Sequence, residues 1–304
     1  MIQHKLYTSV DLLPKDWDTL PCNDIFLKTP FLRGLENACP NNITPFYFAV
    51  YKHENLVGIG VVQRVQMYVD DVFRRTSRNY LKQIAKRLAS KIVKGNALVV
   101  GSLMHTGQHG LFYLPSEITQ DEFLEAVSEV LKELTVKIRA DYKKKIRVIA
   151  FKDYFENDAI HKSTSFFKSE NLYKVQVQPN MIFAIPNNWK SPNDYITSFN
   201  KKYKRRYKTA RKKAANIICK ELDLDYLKEN KEVIYDLYEI VSDNARVNSF
   251  KLPKHHFISL KESLQDYFKV FGLFMGTQLV GFYSLLLNND VLETYFLGYN
   301  KTLQ

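Results

Sequence analysis

The sequence predicts an α/β protein made of two related halves, and three observations carry that expectation. Two stretches read as matching β-hairpins, Phe46–Gln63 (FYFAVYKHENLVGIGVVQ) and Phe268–Leu287 (FKVFGLFMGTQLVGFYSLLL), and a shift of 223 positions lays Leu56-Val57-Gly58 on Leu279-Val280-Gly281. Each is an apolar run, a short polar break (Lys52-His53-Glu54-Asn55; Met275-Gly276-Thr277-Gln278) and a second apolar run containing glycine, the pattern of two strands joined by a tight turn. Segments of helical period alternate with short apolar strands along the chain. The length of 304 residues is long for one domain and suits two of about 150 each.

A transmembrane helix is the competing reading of Val270–Leu287, which carries no charge over 18 residues, the lower end of what spans a bilayer. Gly272, Gly276 and Gly281 punctuate that run and the matching copy is charged at its turn, so a hairpin is expected. Hydrophobic content of 45% and charged content of 25% are those of a soluble globular protein. No apolar segment follows Met1-Ile2-Gln3-His4-Lys5, so no secretory signal is read there. Cys22, Cys39 and Cys219 are odd in number and far apart, which fits reduced thiols and a cytoplasmic location and offers neither a disulfide framework nor a zinc motif.

The net charge of +12 is concentrated. Nine basic residues fall in Lys201–Lys213 and eight in Arg74–Lys94, with no acid in either, leaving 27 basic against 32 acidic residues elsewhere. Two short segments therefore hold all of the positive excess, and they should meet an anion or lie in solvent.

In chain order, Thr29-Pro30 reads as a helix cap and first turn ahead of Phe31-Leu32. Asn79–Val93 places Leu81, Ile84, Ala85, Leu88 and Ile92 on one helical face. Ala97–Val100 and Leu111–Tyr113 are strand candidates around the glycine-rich Gly101–Gly110. A helix follows over Glu117–Ala140 with Thr119 and Glu122 as a capping box, and Lys145–Phe151 is a strand. His161–Tyr173 is expected to be helical and Val175–Pro186 extended. Beyond Trp189, one helix from Ser191-Pro192 is expected to bury a stripe of Ile196, Phe199, Tyr203, Tyr207, Ala210 and Ala214. Ile217–Leu224 reads as a strand, Lys231–Arg246 and His255–Tyr267 as helices, and Val291–Tyr299 as a last strand with Val291, Glu293 and Tyr295 on one side.

This order resembles the GNAT acyltransferase superfamily. The segment WKSPNDYITSFNKKYKRRYKTARKKA, Trp189 to Ala215, looks like the entry to the second domain of tandem-GNAT proteins of the Fem-like type. The resemblance implies tandem GNAT-like domains, 1–186 and 187–304, the second incomplete at its C-terminal end. It also implies transfer of an acyl or aminoacyl group to an amine acceptor, often a cell-envelope precursor. Acetyl-CoA or another acyl-CoA is the expected co-substrate, with an aminoacyl-tRNA donor, or a non-catalytic polyanion- or membrane-associated protein on the same scaffold, as the alternatives.

In GNAT enzymes the donor's pyrophosphate sits on amides at a helix start, where unpaired N–H groups and the helix dipole favour anions. The stretch here with the right order is Gly107-Gln108-His109-Gly110, with Gly107, Gln108 and Gly110 as the expected donor contacts, although a strand stands between it and the Glu117 helix. An amine nucleophile must lose a proton near neutral pH, so a carboxylate, His or Tyr on the central strand is expected. Glu293, flanked by apolar residues, is the leading catalytic candidate, with Tyr295 beside it and His105 as a first-half counterpart. The plain reading of Glu293 is an edge-strand carboxylate in solvent.

Lys201, Lys204, Arg205, Lys208, Arg211 and Lys212 have three readings. They form a solvated face whose tyrosines pack on the core, a platform for the phosphates of tRNA or a nucleotide-linked precursor, or a docking surface for anionic lipid at the inner membrane face. Tyrosines buried at helical spacing make poor stacking platforms, so sequence-specific DNA binding is not expected. No Ser/His/Asp arrangement, P-loop, paired cysteine or His-x-x-x-His supports metal or covalent-nucleophile chemistry.

Overall fold

A computed structural model describes residues 1–68, 94–176, 180–245 and 248–303. The helix expected over Asn79–Val93 and its basic residues lie outside the described residues. Among the described residues the protein is a mixed α/β structure with two sheets. The first has the order β1 (Ile2–Tyr7), β2 (Ile43–Lys52), β3 (Asn55–Tyr68), β4 (Lys94–Val100), β6 (Ile146–Phe151), with β5 (Leu111–Tyr113) also beside β3. All neighbours are antiparallel except β4 and β6. The second has the order β7 (Ile217–Glu221), β8 (Phe268–Met275), β9 (Gln278–Asn288), β10 (Val291–Tyr299), all antiparallel.

Both expected hairpins form, and they match in detail. In each, two residues separate the strands: His53 and Glu54, at φ 51 and 69, and Gly276, at φ 58, with Thr277. Positive φ at the first turn position is what a tight hairpin needs to follow the strand twist. In each, one extra residue bulges from the second strand at the matching place, Val57 between the pairs Val50/Gly58 and Tyr51/Leu56, and Val280 between Leu273/Gly281 and Phe274/Leu279. The agreement continues across the next neighbour. Val62 pairs with Val100 and Gly60 with Leu111, as Leu285 pairs with Thr294 and Tyr283 with Leu297. The ten-residue excursion Gly101–Gly110 thus occupies the place held in the second sheet by the bulged pair Tyr295-Phe296.

Helix α2 (Gln120–Tyr142) starts at the Thr119/Glu122 capping box and lays Phe123, Val127, Val130, Leu134 and Ile138 over Phe48, Val50, Val62, Leu98 and Val100 of the first sheet. In the second sheet the matching face is open: Leu292 and Leu297 are exposed, and Phe271, Leu273 and Leu285 are half-buried. The opposite faces of the two sheets share one core. It joins Tyr47, Ala49, Ile59 and Val61 to Val270, Phe282 and Leu286 through α1 (Thr29–Asn37), α7 (Lys231–Asn244) and α8 (His256–Leu264). Helices α1 and α8 cross where Gly34 has no side chain. A Cβ there would stand 3.0 Å from Leu260 Cδ2, and Ser259 Oγ donates to the Gly34 carbonyl at 2.9 Å. The short α6 (Leu224–Glu229) precedes α7.

Several local expectations are corrected. Helix α1 begins one residue early, with Lys28 as its cap and Thr29 already helical. His161–Tyr173 is a 3-10 turn followed by only α3 (Thr164–Ser169). The helix expected beyond Ser191 is two, α4 (Pro192–Ser198) and α5 (Lys201–Lys213), because Asn200 turns extended and its side chain caps the amide of Tyr203 at 3.1 Å. Neither helix has a buried residue, so the Tyr203/Tyr207 stripe does not reach the core. The strict alternation expected along Val291–Tyr299 is broken by the bulge at Tyr295-Phe296. No helix among the described residues is long and apolar enough to cross a membrane.

Candidate active site

Three side chains from distant parts of the chain meet where the two sheets face each other. His109 comes from the Gly101–Gly110 excursion, Asp24 precedes a 3-10 turn at Ile25–Leu27, and Glu293 stands on β10. Asp24 Oδ2 is 2.7 Å from His109 Nδ1, and Glu293 Oε1 is 3.5 Å from His109 Nε2. The Asp24 contact assigns the proton to Nδ1 and turns Nε2 toward Glu293. All three are largely withdrawn from water, at 23%, 18% and 18% exposure.

A second ring of contacts holds them. Asp24 Oδ1 accepts from the Phe26 amide at 3.1 Å and from Asn288 Nδ2 at 3.1 Å, while the Asn288 side-chain Oδ1 accepts from the Ile25 amide at 2.9 Å. Asn289 Nδ2 reaches the Asn23 carbonyl at 2.7 Å, so the β9–β10 turn is tied to the Asp24 turn on both sides. The His109 ring packs on Phe26 at 4.4 Å. Burial raises the Glu293 carboxyl above the usual range, and the charge of Asp24 adds to that; His109, a hydrogen bond from Asn288 and Lys152 work the other way.

The Gly107–Gly110 loop is held from within. The Gly107 amide donates to Asp153 Oδ2 at 3.1 Å and the Gly110 amide to Gln108 Oε1 at 3.0 Å. Lys152 Nζ ties the loop down through the carbonyls of His105 and Gly107, at 3.0 and 3.1 Å, and pairs with Asp153 at 2.6 Å. Gly110 lies against Gly101: a Cβ on it would stand 2.4 Å from Gly101 Cα, so only glycine closes the mouth of the excursion.

His105 is buried and stacks on Phe26 at 4.2 Å, with no hydrogen-bond partner for either ring nitrogen among the described residues. Burial, with Lys152 next, keeps it neutral, its proton affinity well below the ordinary histidine value. The Tyr295 hydroxyl faces His256. His256 Nδ1 donates to the Ala38 carbonyl at 2.9 Å, so Nε2 accepts from the Tyr295 hydroxyl at 3.0 Å. Burial pushes the Tyr295 hydroxyl well above, and His256 down to about 4. Lys201, Lys204, Arg205, Lys208, Arg211 and Lys212 all lie on α5, and none pairs with a carboxylate among the described residues.

The structure thus brings Glu293 to the Gly107–Gly110 loop through His109, and engages Tyr295 elsewhere. Asp24 and Asn288 were not singled out from the sequence, and His109 only as a member of the Gly107–Gly110 stretch. The signals available were weak: an aspartate ahead of an apolar turn, and a histidine between two glycines. Chemically, two carboxylates flanking an imidazole can accept a proton at Glu293 and hold the ring in one tautomer. Among the described residues no cluster suited to a metal ion is present.

No protein-family model matches the sequence, and no curated protein matches it. The chain is similar to a solved structure described as FemX, at 12% identity and a TM-score of 0.43, over 89% of this chain and 57% of that one. It therefore spans little more than half the length of that protein.

Proposed function

We propose that the protein transfers an aminoacyl group from an aminoacyl-tRNA to an amine acceptor on a cell-envelope precursor, on tandem GNAT-like halves, with Glu293 as the base. The observation that supports it most is the convergence of Glu293, His109 and Asp24 between the two sheets. A carboxylate raised by burial accepts a proton from the nitrogen of an attacking amine more readily than an ordinary one. In this reading the neutral amine nitrogen forms its bond to the ester carbon, its proton passes to Glu293, and the ester C–O bond breaks as Glu293 returns that proton to the leaving ribose oxygen, which departs as a hydroxyl. His109, fixed by Asp24, presents its unprotonated Nε2 to Glu293, where it can accept from the carboxyl once that is protonated.

The choice of donor follows from the loop. The amides of Gly107 and Gly110, expected to cradle a CoA pyrophosphate, are occupied by Asp153 and Gln108, and the Asp153 carboxylate stands where the anion would lie. A tRNA ester is remote from most of the donor's phosphates and makes no such demand. The Trp189–Ala215 resemblance to Fem-like proteins supports the same choice.

The test is a transfer assay with labelled aminoacyl-tRNA or labelled acetyl-CoA as donor and a lysine-bearing, nucleotide-linked peptide precursor as acceptor. Transfer from charged tRNA that is lost in Glu293→Gln is the expected result. Transfer from acetyl-CoA alone, or from tRNA equally in Glu293→Gln, overturns the proposal.

A further inference from the structure

The segment from Met181 to Lys213 stands apart from both cores: no described residue between 180 and 221 is buried. Its first part is aliphatic and bare, with Met181 96%, Ile182 73% and Ile185 70% exposed. Its last part is α5, thirteen residues with nine basic side chains and no acid. Aromatic rings join the two. Phe183 touches Trp189 at 6.0 Å and Tyr195 at 5.2 Å, Tyr195 touches Phe199 at 4.5 Å, and Phe199 touches Tyr207 on α5 at 6.3 Å.

We infer that this segment docks the protein on an anionic phospholipid surface, Met181, Ile182 and Ile185 entering the headgroup–acyl boundary and α5 lying along the charged headgroups. Two independent properties coincide as that surface requires. Lys190 and the nine cations of α5 against the single acid Asp194 give the segment a net charge of +9, complementary to anionic lipid. Uncovered aliphatic side chains beside tryptophan and tyrosine match the boundary between headgroups and tails.

A nucleic acid explains only half of this. Its phosphates would satisfy α5, but Met181, Ile182 and Ile185 present nothing for a base to stack on, and the rings of Phe183, Trp189, Tyr195 and Phe199 are turned edge or tilt toward one another. The inference goes beyond the transfer chemistry, since membrane binding is read without turnover and stands or fails separately from it.

Co-sedimentation with vesicles of phosphatidylcholine alone or with phosphatidylglycerol tests it, using the whole chain and two variants altered only at exposed positions. The expected result is binding to phosphatidylglycerol vesicles alone, reduced at least tenfold in Lys201→Glu/Arg205→Glu/Lys208→Glu and severalfold in Ile182→Ser/Ile185→Ser. Circular dichroism of both variants should match the parent. Absence of vesicle binding overturns the inference. So does vesicle binding indifferent to Ile182→Ser/Ile185→Ser, and so does binding of bulk tRNA that depends on the three cations while vesicles are ignored.

Discussion

Glu293 and His109 are 184 positions apart, one on a strand of the second sheet and the other in the Gly101–Gly110 excursion from the first, yet their side chains approach to 3.5 Å. The strand interruption that frees Gly101–Gly110 to carry His109 corresponds to the bulge that follows Glu293. The first sheet supplies His109 from the point where its ladder breaks, while Glu293 stands on the paired part of β10 just ahead of the break in the second.

Replacing Glu293 by glutamine should separate catalysis from stability. Removing a positioned base lowers transfer by roughly 10²- to 10⁴-fold. Because burial raises the Glu293 carboxyl, its ionised form is disfavoured in the fold, so a neutral isostere should leave the melting temperature at pH 7 unchanged or higher. A variant that loses activity and also melts several degrees lower would mark Glu293 as structural.

Replacing Asp24 by asparagine has a signed effect on pH dependence. Glu293 works as a base only when ionised, so the rate rises with pH through its raised pKa. The charge of Asp24 contributes to that rise, so Asp24→Asn should shift the acid limb of kcat/KM to lower pH while reducing the plateau. An acid limb that stays in place would show that Glu293 does not set the profile.

Gly298 tests the packing of β10. A Cβ there would lie 2.4 Å from the Leu237 carbonyl carbon and 2.5 Å from the Tyr238 nitrogen, both backbone of α7. Neither can yield as a flexible side chain would, so Gly298→Ala should destabilise the protein by about 3 kcal/mol, near the top of the usual overpacking range. A denaturant midpoint equal to the parent's would contradict the contact. Gly281→Ala, whose nearest atom is at 3.2 Å, should cost less.

Local grammar made the hairpins legible: polar turn residues and a glycine just beyond them specify two-residue turns and bulges without reference to the rest of the chain. The Thr119/Glu122 cap was legible for the same reason, its contacts spanning three residues. The Asp24–His109–Glu293 cluster is set by how two sheets share a core, and nothing within a window around Asp24 encodes a partner 85 positions away. Helical spacing likewise placed Tyr203 and Tyr207 on one face without saying that the face would stay in solvent.

Acid should weaken the fold through His256. It is buried and neutral, with Nδ1 donating to Ala38 and Nε2 accepting from Tyr295, and burial lowers its pKa to about 4. The unfolded chain binds a proton below about pH 6.5, where an ordinary histidine titrates. Its contribution is thus fully present above that pH and is lost as pH falls toward 4, by about 3 kcal/mol in total. His105, also buried and neutral, acts in the same direction. Denaturant unfolding measured at intervals from pH 7 to pH 4 should show this decline, with a shallower slope in His256→Asn, whose amide can still donate to Ala38 but does not titrate. An identical slope in parent and variant would remove His256 from the account.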